Sequence, residues 1–214
     1  LEATTGYLRL SINRSSGEGV IRTEEGLLCP LPVSRLTTTD GRVLPGQVER
    51  VSVEERELGR AVILVEGHHM DEAGQPYFGF AMRYFIHPGD RLLRVDHILR
   101  HDIVSADMEY GDEMKSFAAL DLVFPVDADE ATLALEDGQT ATMRAGERLF
   151  QHFDDAYELG DTTGGRAPGL ASMGGLTVAA RDFWQNWPKS LAAEEGALVL
   201  GLYPAIAPSD RYAD

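Results

Sequence analysis

Cysteine is almost missing from this chain. Cys29 stands alone, so it closes no internal disulfide and completes neither a CxxC pair nor a Cys/His zinc cluster. Packing has to stabilise the fold. Cations are also scarce: 19 Lys and Arg against 35 Asp and Glu leave a net charge of −16. A field of that sign repels nucleic acid phosphates and anionic membrane surfaces, and neither is expected as a partner. No run approaches the roughly 18 apolar residues of a membrane-spanning helix. The start of the chain lacks the basic, apolar and small-residue order of a secretory signal. Leu1 to Ile12 reads instead as an alternating strand, and the chain is expected to begin mature or mid-protein. The GxSxG elbow, the phosphate-cradling Walker loop and the HExxH helix are absent too, which removes the starting residues for esterase-type, nucleotide and metalloprotease chemistry.

What is present is strand. The chain has 214 residues, 43% of them hydrophobic, enough for one large all-β domain or two small ones. Leu8, Leu10 and Ile12 alternate with Arg9, Ser11 and Asn13, giving one dry and one wet face. Gln47 to Glu57 alternates similarly and turns at Leu58-Gly59-Arg60 into the apolar run Ala61 to Val65. Phe78 to Ile86 and Arg91 to Val104 flank His87-Pro88-Gly89-Asp90, whose Pro-Gly centre suits a tight antiparallel turn. Further strands are predicted at Lys115 to Pro125, Ala131 to Leu135, Thr140 to Arg144, Gly175 to Asp182 and Ala197 to Tyr203. No long amphipathic helix competes with them. The expected fold is all-β, a large antiparallel β-sandwich of the super-sandwich type with at most short helical turns, occupying residues 1–214 as a single domain. Asp154 to Ser172, rich in Gly, Thr and Asp, is predicted as the longest loop.

The densest motif is Gly164-Gly165-Arg166-Ala167-Pro168-Gly169, followed by Gly174-Gly175, the strand Leu176 to Ala180, and Arg181-Asp182-Phe183-Trp184-Gln185-Asn186-Trp187-Pro188. This order of glycine loop, strand and Arg-Asp-Phe-Trp-Gln turn resembles exo-rhamnogalacturonan lyase-type and YetA-like proteins. A looser likeness runs upstream through Glu55 to Val62 and Arg83 to Gly89. The resemblance implies the family's central β-sandwich, which lies there between an amino-terminal barrel-like domain and a carboxy-terminal α/α toroid. On that reading the chain is a piece of a larger multidomain protein and is not expected to turn substrate over alone.

Family lyases eliminate across a uronate, a step needing a base for the C5 proton, a cation against the carboxylate and an acid for the leaving oxygen. Arg166 sits where a guanidinium could grip a carboxylate through both oxygens; the plainer role is a surface arginine tethering its own loop. Arg181 and Trp184 complete the expected substrate contacts. Trp184 and Trp187 would share a face if Asp182 to Pro188 forms a helical turn, stacking on a sugar or anchoring the core. Asp182 reads as an N-cap, and Lys189 as a solvated side chain. For proton transfer the candidates are His101 and His152. His152 precedes Asp154-Asp155, and a histidine beside carboxylates suits a proton carrier.

No metal site is expected. His97 and His101 share a strand face, but four residues of strand span about 13 Å, too far for one metal. His68 and His69 are adjacent and face opposite sides. Asp71-Glu72, Asp127-Ala128-Asp129 and Asp154-Asp155 read as solvated turns, with calcium left open as their one oxygen-ligated option. No cofactor is otherwise expected.

Three functional readings remain. In the first, this is the sandwich of a polysaccharide lyase acting by β-elimination on a rhamnose- and uronate-containing polymer such as rhamnogalacturonan or ulvan. Its partners are then a carbohydrate polymer and neighbouring domains of the same protein, and its location is secreted or periplasmic. The second is a non-catalytic carbohydrate-binding or architectural module packing against an α/α toroid. The third, a sugar epimerase on a related sandwich, would need paired His and Glu in one cleft and rests on fold analogy alone.

Overall fold

A computed structural model describes residues 1–57, 59–101 and 115–205. The chain is all-β, and the one helical element among the described residues is a 3-10 turn, Glu136–Gly138. It divides into two compact units. Unit 1 comprises Leu1–Ser34 and Leu44–Ser116, and unit 2 comprises Arg35–Val43 and Phe117–Asp214.

Unit 1 begins with β1 (Glu2–Thr4), β2 (Leu8–Ile12), β3 (Gly19–Thr23) and β4 (Leu28–Pro30), paired in sequence order as a four-stranded sheet. The predicted opening strand is thus a hairpin, broken at Gly6, whose φ of 103° an L side chain resists. Strand β5 (Val33–Thr38) crosses the unit boundary. Next come β6 (Val43–Glu57), β7 (Arg60–Met70), β8 (Pro76–Ile86) and β9 (Arg94–Arg100), antiparallel in chain order.

Strand β7 lies between β6 and β8. Val62, Ile63, Leu64 and Val65 are all buried, which is why the run is continuously apolar and not alternating. Its neighbour β8 buries Phe80 and Tyr84 to 1% exposure. Strand β6 carries two register shifts, between Val48 and Arg50 and between Val53 and Glu55. Facing the first shift is Gly67, where a β-carbon would run into the carbonyl oxygen of Gln47; only glycine lets the bulged backbone approach so closely. Of the predicted hairpins, Leu58 and residues 102–104 lie outside the described residues. Strand β9 starts at Arg94, three residues later than expected.

Unit 2 holds β10 (Phe117–Pro125), β11 (Glu130–Ala134), β12 (Thr140–Arg144), β13 (Arg148–Phe153), β14 (Ala156–Leu159), β15 (Thr162–Gly164), β16 (Leu170–Met173), β17 (Leu176–Ala179), β18 (Lys189–Glu194) and β19 (Ala197–Tyr203). One sheet runs in the order β15-β14-β13-β18-β19-β10, the other in the order β12-β11-β16-β17. Leu133 of β11, Leu149 of β13 and Leu198 of β19 are fully buried. Arg35 of β5 is clamped by Glu194, at 2.7 and 2.8 Å, and by Asp121, at 3.1 and 3.2 Å.

Two expectations are corrected. Asp154 to Ser172 is not one long loop: β14 and β15 pair within it and β16 begins in it. Lys189 is not a solvated side chain: it opens β18, half-buried, and donates to the carbonyl of Leu202 at 2.5 Å. Burial lowers its pKa below the ordinary lysine value.

Candidate functional site in unit 2

The glycine-rich segment is pinned from below by Gln151, which is fully buried. Its amide nitrogen donates to the carbonyls of Phe153, at 2.6 Å, and Gly165, at 2.9 Å, while its oxygen accepts from the N–H of Ala167 at 2.9 Å. From the other side, Glu136 accepts from the N–H groups of Gly165 and Arg166, at 3.0 and 3.3 Å. Those two bonds hold its carboxyl below the usual glutamate range. The segment read as loop in the sequence is therefore tethered at three consecutive residues. Gly164 lies against the ring of Tyr157 and Gly169 against the side chain of Phe183, so that a β-carbon at either would clash.

The Arg-Asp-Phe-Trp-Gln segment is a turn and not a strand end. Strand β17 stops at Ala179. Asp182 sits at φ 53°, in the left-handed region, and its carbonyl accepts from the N–H of Asn186 at 2.9 Å. No helix follows, so Asp182 caps none, contrary to the N-cap reading; its short polar side chain tolerates the conformation better than most. The aromatic that anchors this turn in the core is Phe183, 1% exposed. Trp184 is only partly covered, and Trp187, after which the peptide bond to Pro188 is cis, is 40% exposed.

Arg166 lies over Trp184, with its guanidinium carbon 4.4 Å from the ring centre, and its Nε donates to the carbonyl of Asp154 at 3.3 Å. Trp187 leans on Phe153 at 5.2 Å between ring centres, tilted by 56°. The result is a positioned guanidinium stacked on one indole, Arg166 over Trp184, with a second indole, Trp187, exposed in the same turn as Trp184.

The other sequence candidates are placed differently. Arg181 extends into solvent, its side chain 86% exposed and paired with Asp182 at 3.3 Å. His152 packs on Phe150, ring centres 4.0 Å apart, with Nε2 2.9 Å from the Glu158 carboxylate. His101 belongs to unit 1, where it meets the edge of Phe78 at 5.3 Å. Residues that sequence reasoning passed over are Phe153, Gln151 and Glu136; long-range pairing brings them in, and no local signal marks them. Among the described residues no cluster of three or more His, Cys, Asp or Glu suits a metal ion.

Unit 1 contains a separate buried polar centre. Ser34 Oγ lies 2.8 Å from Nε2 of His69 and 2.9 Å from Nε2 of His97, and Nδ1 of His69 lies 3.1 Å from the carbonyl oxygen of Phe78. A carbonyl only accepts, so His69 carries its hydrogen on Nδ1 and presents a lone pair at Nε2. Ser34 then donates to His69 and accepts from the Nε2–H of His97. The order of donation is fixed along the whole chain of bonds. With Ser34 at 1% and His69 at 0% exposure, it is a lock between strands β5, β7 and β9, closed to substrate.

No curated protein and no solved structure matches the chain. A protein-family model described as "PcRGLX-like protein central beta sandwich domain" matches residues 14–111. That stretch includes the upstream hairpin at Glu55 to Val62 and the segment Arg83 to Gly89, whereas the glycine loop and the tryptophan turn lie beyond it. Over residues 14–111 the chain is therefore similar to the central β-sandwich domain of PcRGLX-like proteins.

Proposed function

We propose that this chain supplies substrate contacts to a polysaccharide lyase-like protein that cleaves a rhamnose- and uronate-containing polymer by β-elimination. The observation that carries the reading is Arg166 held over Trp184, in a turn whose second indole, Trp187, is exposed. A guanidinium that projects from a tethered backbone meets a uronate carboxylate with two parallel hydrogen bonds. Indole faces next to it suit the C–H faces of the flanking sugars. Because Gln151 and Glu136 already fix residues 165–167, little ordering accompanies binding, which favours affinity. The net charge of −16 opposes an anionic polymer at long range, so the interaction has to be local and short-ranged, within a Debye length of about 8–10 Å.

His152 is the group in unit 2 suited to move a proton, with the Glu158 carboxylate 2.9 Å from its Nε2. His101 is not assigned a shared role with it. The turn holds both tryptophans of the chain, so indole emission reports on this surface and on no other. Titration with rhamnogalacturonan oligosaccharides should change that emission saturably. Arg166→Ala should weaken binding about tenfold, the effect of losing one charge-assisted bidentate contact. Binding unchanged in Arg166→Ala would overturn the assignment. Product absorbance of the unsaturated uronate, followed in parallel, separates a contact surface without turnover from one that also catalyses.

A further inference from the structure

A second concave surface lies wholly within unit 1, in residues the family match largely covers. The end of the β6–β7–β8 meander forms its floor. Arg56, Ala61 and Ile86 occupy one cross-strand row, and Val53 and Ile63 the next. Strand β1 and Arg14, from the turn after β2, form the opposite wall, enclosing a cavity of about 460 Å³. That volume is within the range of small-molecule sites.

Three arginines line this cavity: Arg14, Arg56 and Arg60. Five arginines of unit 1 are taken by carboxylates. Arg50 and Arg100 pair with Glu66, Arg83 with Glu54 and Arg94 with Asp96. Arg60 pairs with Glu55. Arg14 and Arg56 have no carboxylate partner among the described residues, and both line the same cavity. Two carboxylates, Glu2 and Glu57, also line it, and Glu57 stands across from Arg60 in the strand register. With Arg60 taken by Glu55, the rim sets Arg14 and Arg56 against Glu2 and Glu57, over an aliphatic floor without an aromatic ring.

We infer that this cavity binds a small organic carboxylate, its charged end between Arg14 and Arg56 and its body over Ala61, Ile63 and Ile86. Guanidinium recognition of a carboxylate is bidentate and directional, and an aliphatic floor accepts either a sugar ring or an alkyl body. The cavity is independent of the surface around Arg166, since no residue is shared. Two probes separate the sources of the carboxylate: galacturonate, a hydroxylated ring, and hexanoate, an alkyl chain.

Heteronuclear NMR titration of the chain with each probe provides the test. At low salt at least one probe should give saturable shifts at Arg14, Arg56 and Ile63. The double variant Arg14→Gln/Arg56→Gln, both positions exposed, should keep the wild-type melting temperature and lose at least tenfold in affinity. Saturation by galacturonate alone identifies a uronate site, and by hexanoate alone an aliphatic-acid site. Either result supports a carboxylate site. Shifts that never saturate, that map to other residues, or that persist unchanged in the double variant would overturn it. Binding that survives in Arg166→Ala keeps this outcome distinct from that of the unit 2 surface.

Discussion

Acidification from pH 6.5 towards 4 should cost unit 1 several kcal/mol of stability, ahead of general acid denaturation. Burial presses both His69 and His97 from an ordinary value of 6.5 down to about 4, because the interior solvates the imidazolium poorly. The hydrogen bond to Phe78 works the other way for His69, favouring its charged form, but is outweighed. Each ring also disfavours a second charge nearby, His68 acting on His69 and His69 on His97. Above pH 6.5 both rings are neutral folded and unfolded, and their full contribution is present. As pH falls, the unfolded chain takes up protons first and stability declines; below about 4 the folded rings protonate too and the decline ends. A shift of this size corresponds to about 3 kcal/mol for a ring, somewhat less for His97, whose ring solvent partly reaches.

The bond order around Ser34 supplies the structural half of the effect. Protonating His69 at Nε2 places a donor where Ser34 now donates, so the hydroxyl would have to reverse, and His97 would then face it with a donor as well. Two donors cannot share the serine lone pairs and retain the present geometry with its proton accommodated. Urea unfolding at pH 7, 6, 5 and 4.5 measures the decline, and the interval above pH 5 is largely clear of carboxylate titration. His97→Gln keeps an amide donor for Ser34 but removes one titrating ring, and should reduce the slope in that interval by about half. An unaltered slope in His97→Gln would dismiss the histidines as its source.

Much of unit 1 was legible because its strands announce themselves. Period-two alternation, the β-branched run at Ala61 to Val65 and the Pro88-Gly89 turn are local signals, and local signals suffice for hairpins. Several strands of unit 2 that escaped notice lack them. In β13, Leu149, Phe150 and Gln151 are buried in succession, because β14 and β18 flank it on both sides, and alternation vanishes. Strand β18, Lys-Ser-Leu-Ala-Ala-Glu, has little intrinsic β preference and is a strand because β13 and β19 hold it. Short β14 and β15 sit at a sheet edge, in composition that reads as loop.

The site was legible in its residue types and not in its assembly. Arg166 and Trp184 were each visible as candidates, but their contact depends on Phe183 entering the core against Gly169, where no β-carbon fits. Placing Lys189 in solvent failed for a related reason: a charged residue after proline looks like a loop until the neighbouring strand offers it a carbonyl. On the other side, alternation correctly separated His68 from His69. It could not see that Ser34, far away in sequence, would stand between His69 and His97.

Gln151→Leu should be the most damaging single substitution for the unit 2 surface. Leucine is close to glutamine in size but leaves three backbone groups without their partner: the carbonyls of Phe153 and Gly165 and the N–H of Ala167. At about 1–3 kcal/mol for each buried group left unsatisfied, and allowing for relaxation, the expected loss is about 3–5 kcal/mol. The loop would recover part of this by swinging its backbone into water. That motion withdraws Arg166 from Trp184, so the emission of the two tryptophans should shift to the red at temperatures where far-ultraviolet dichroism still reports intact strands. Gln151→Glu is the sharper control. It retains an acceptor for Ala167 but directs a buried carboxylate at two carbonyl oxygens, and should be no better tolerated than leucine. If both variants melt as one step, with wild-type tryptophan emission up to the transition, the glycine loop is held by the packing of Phe183 and Tyr157 and not by the buried amide.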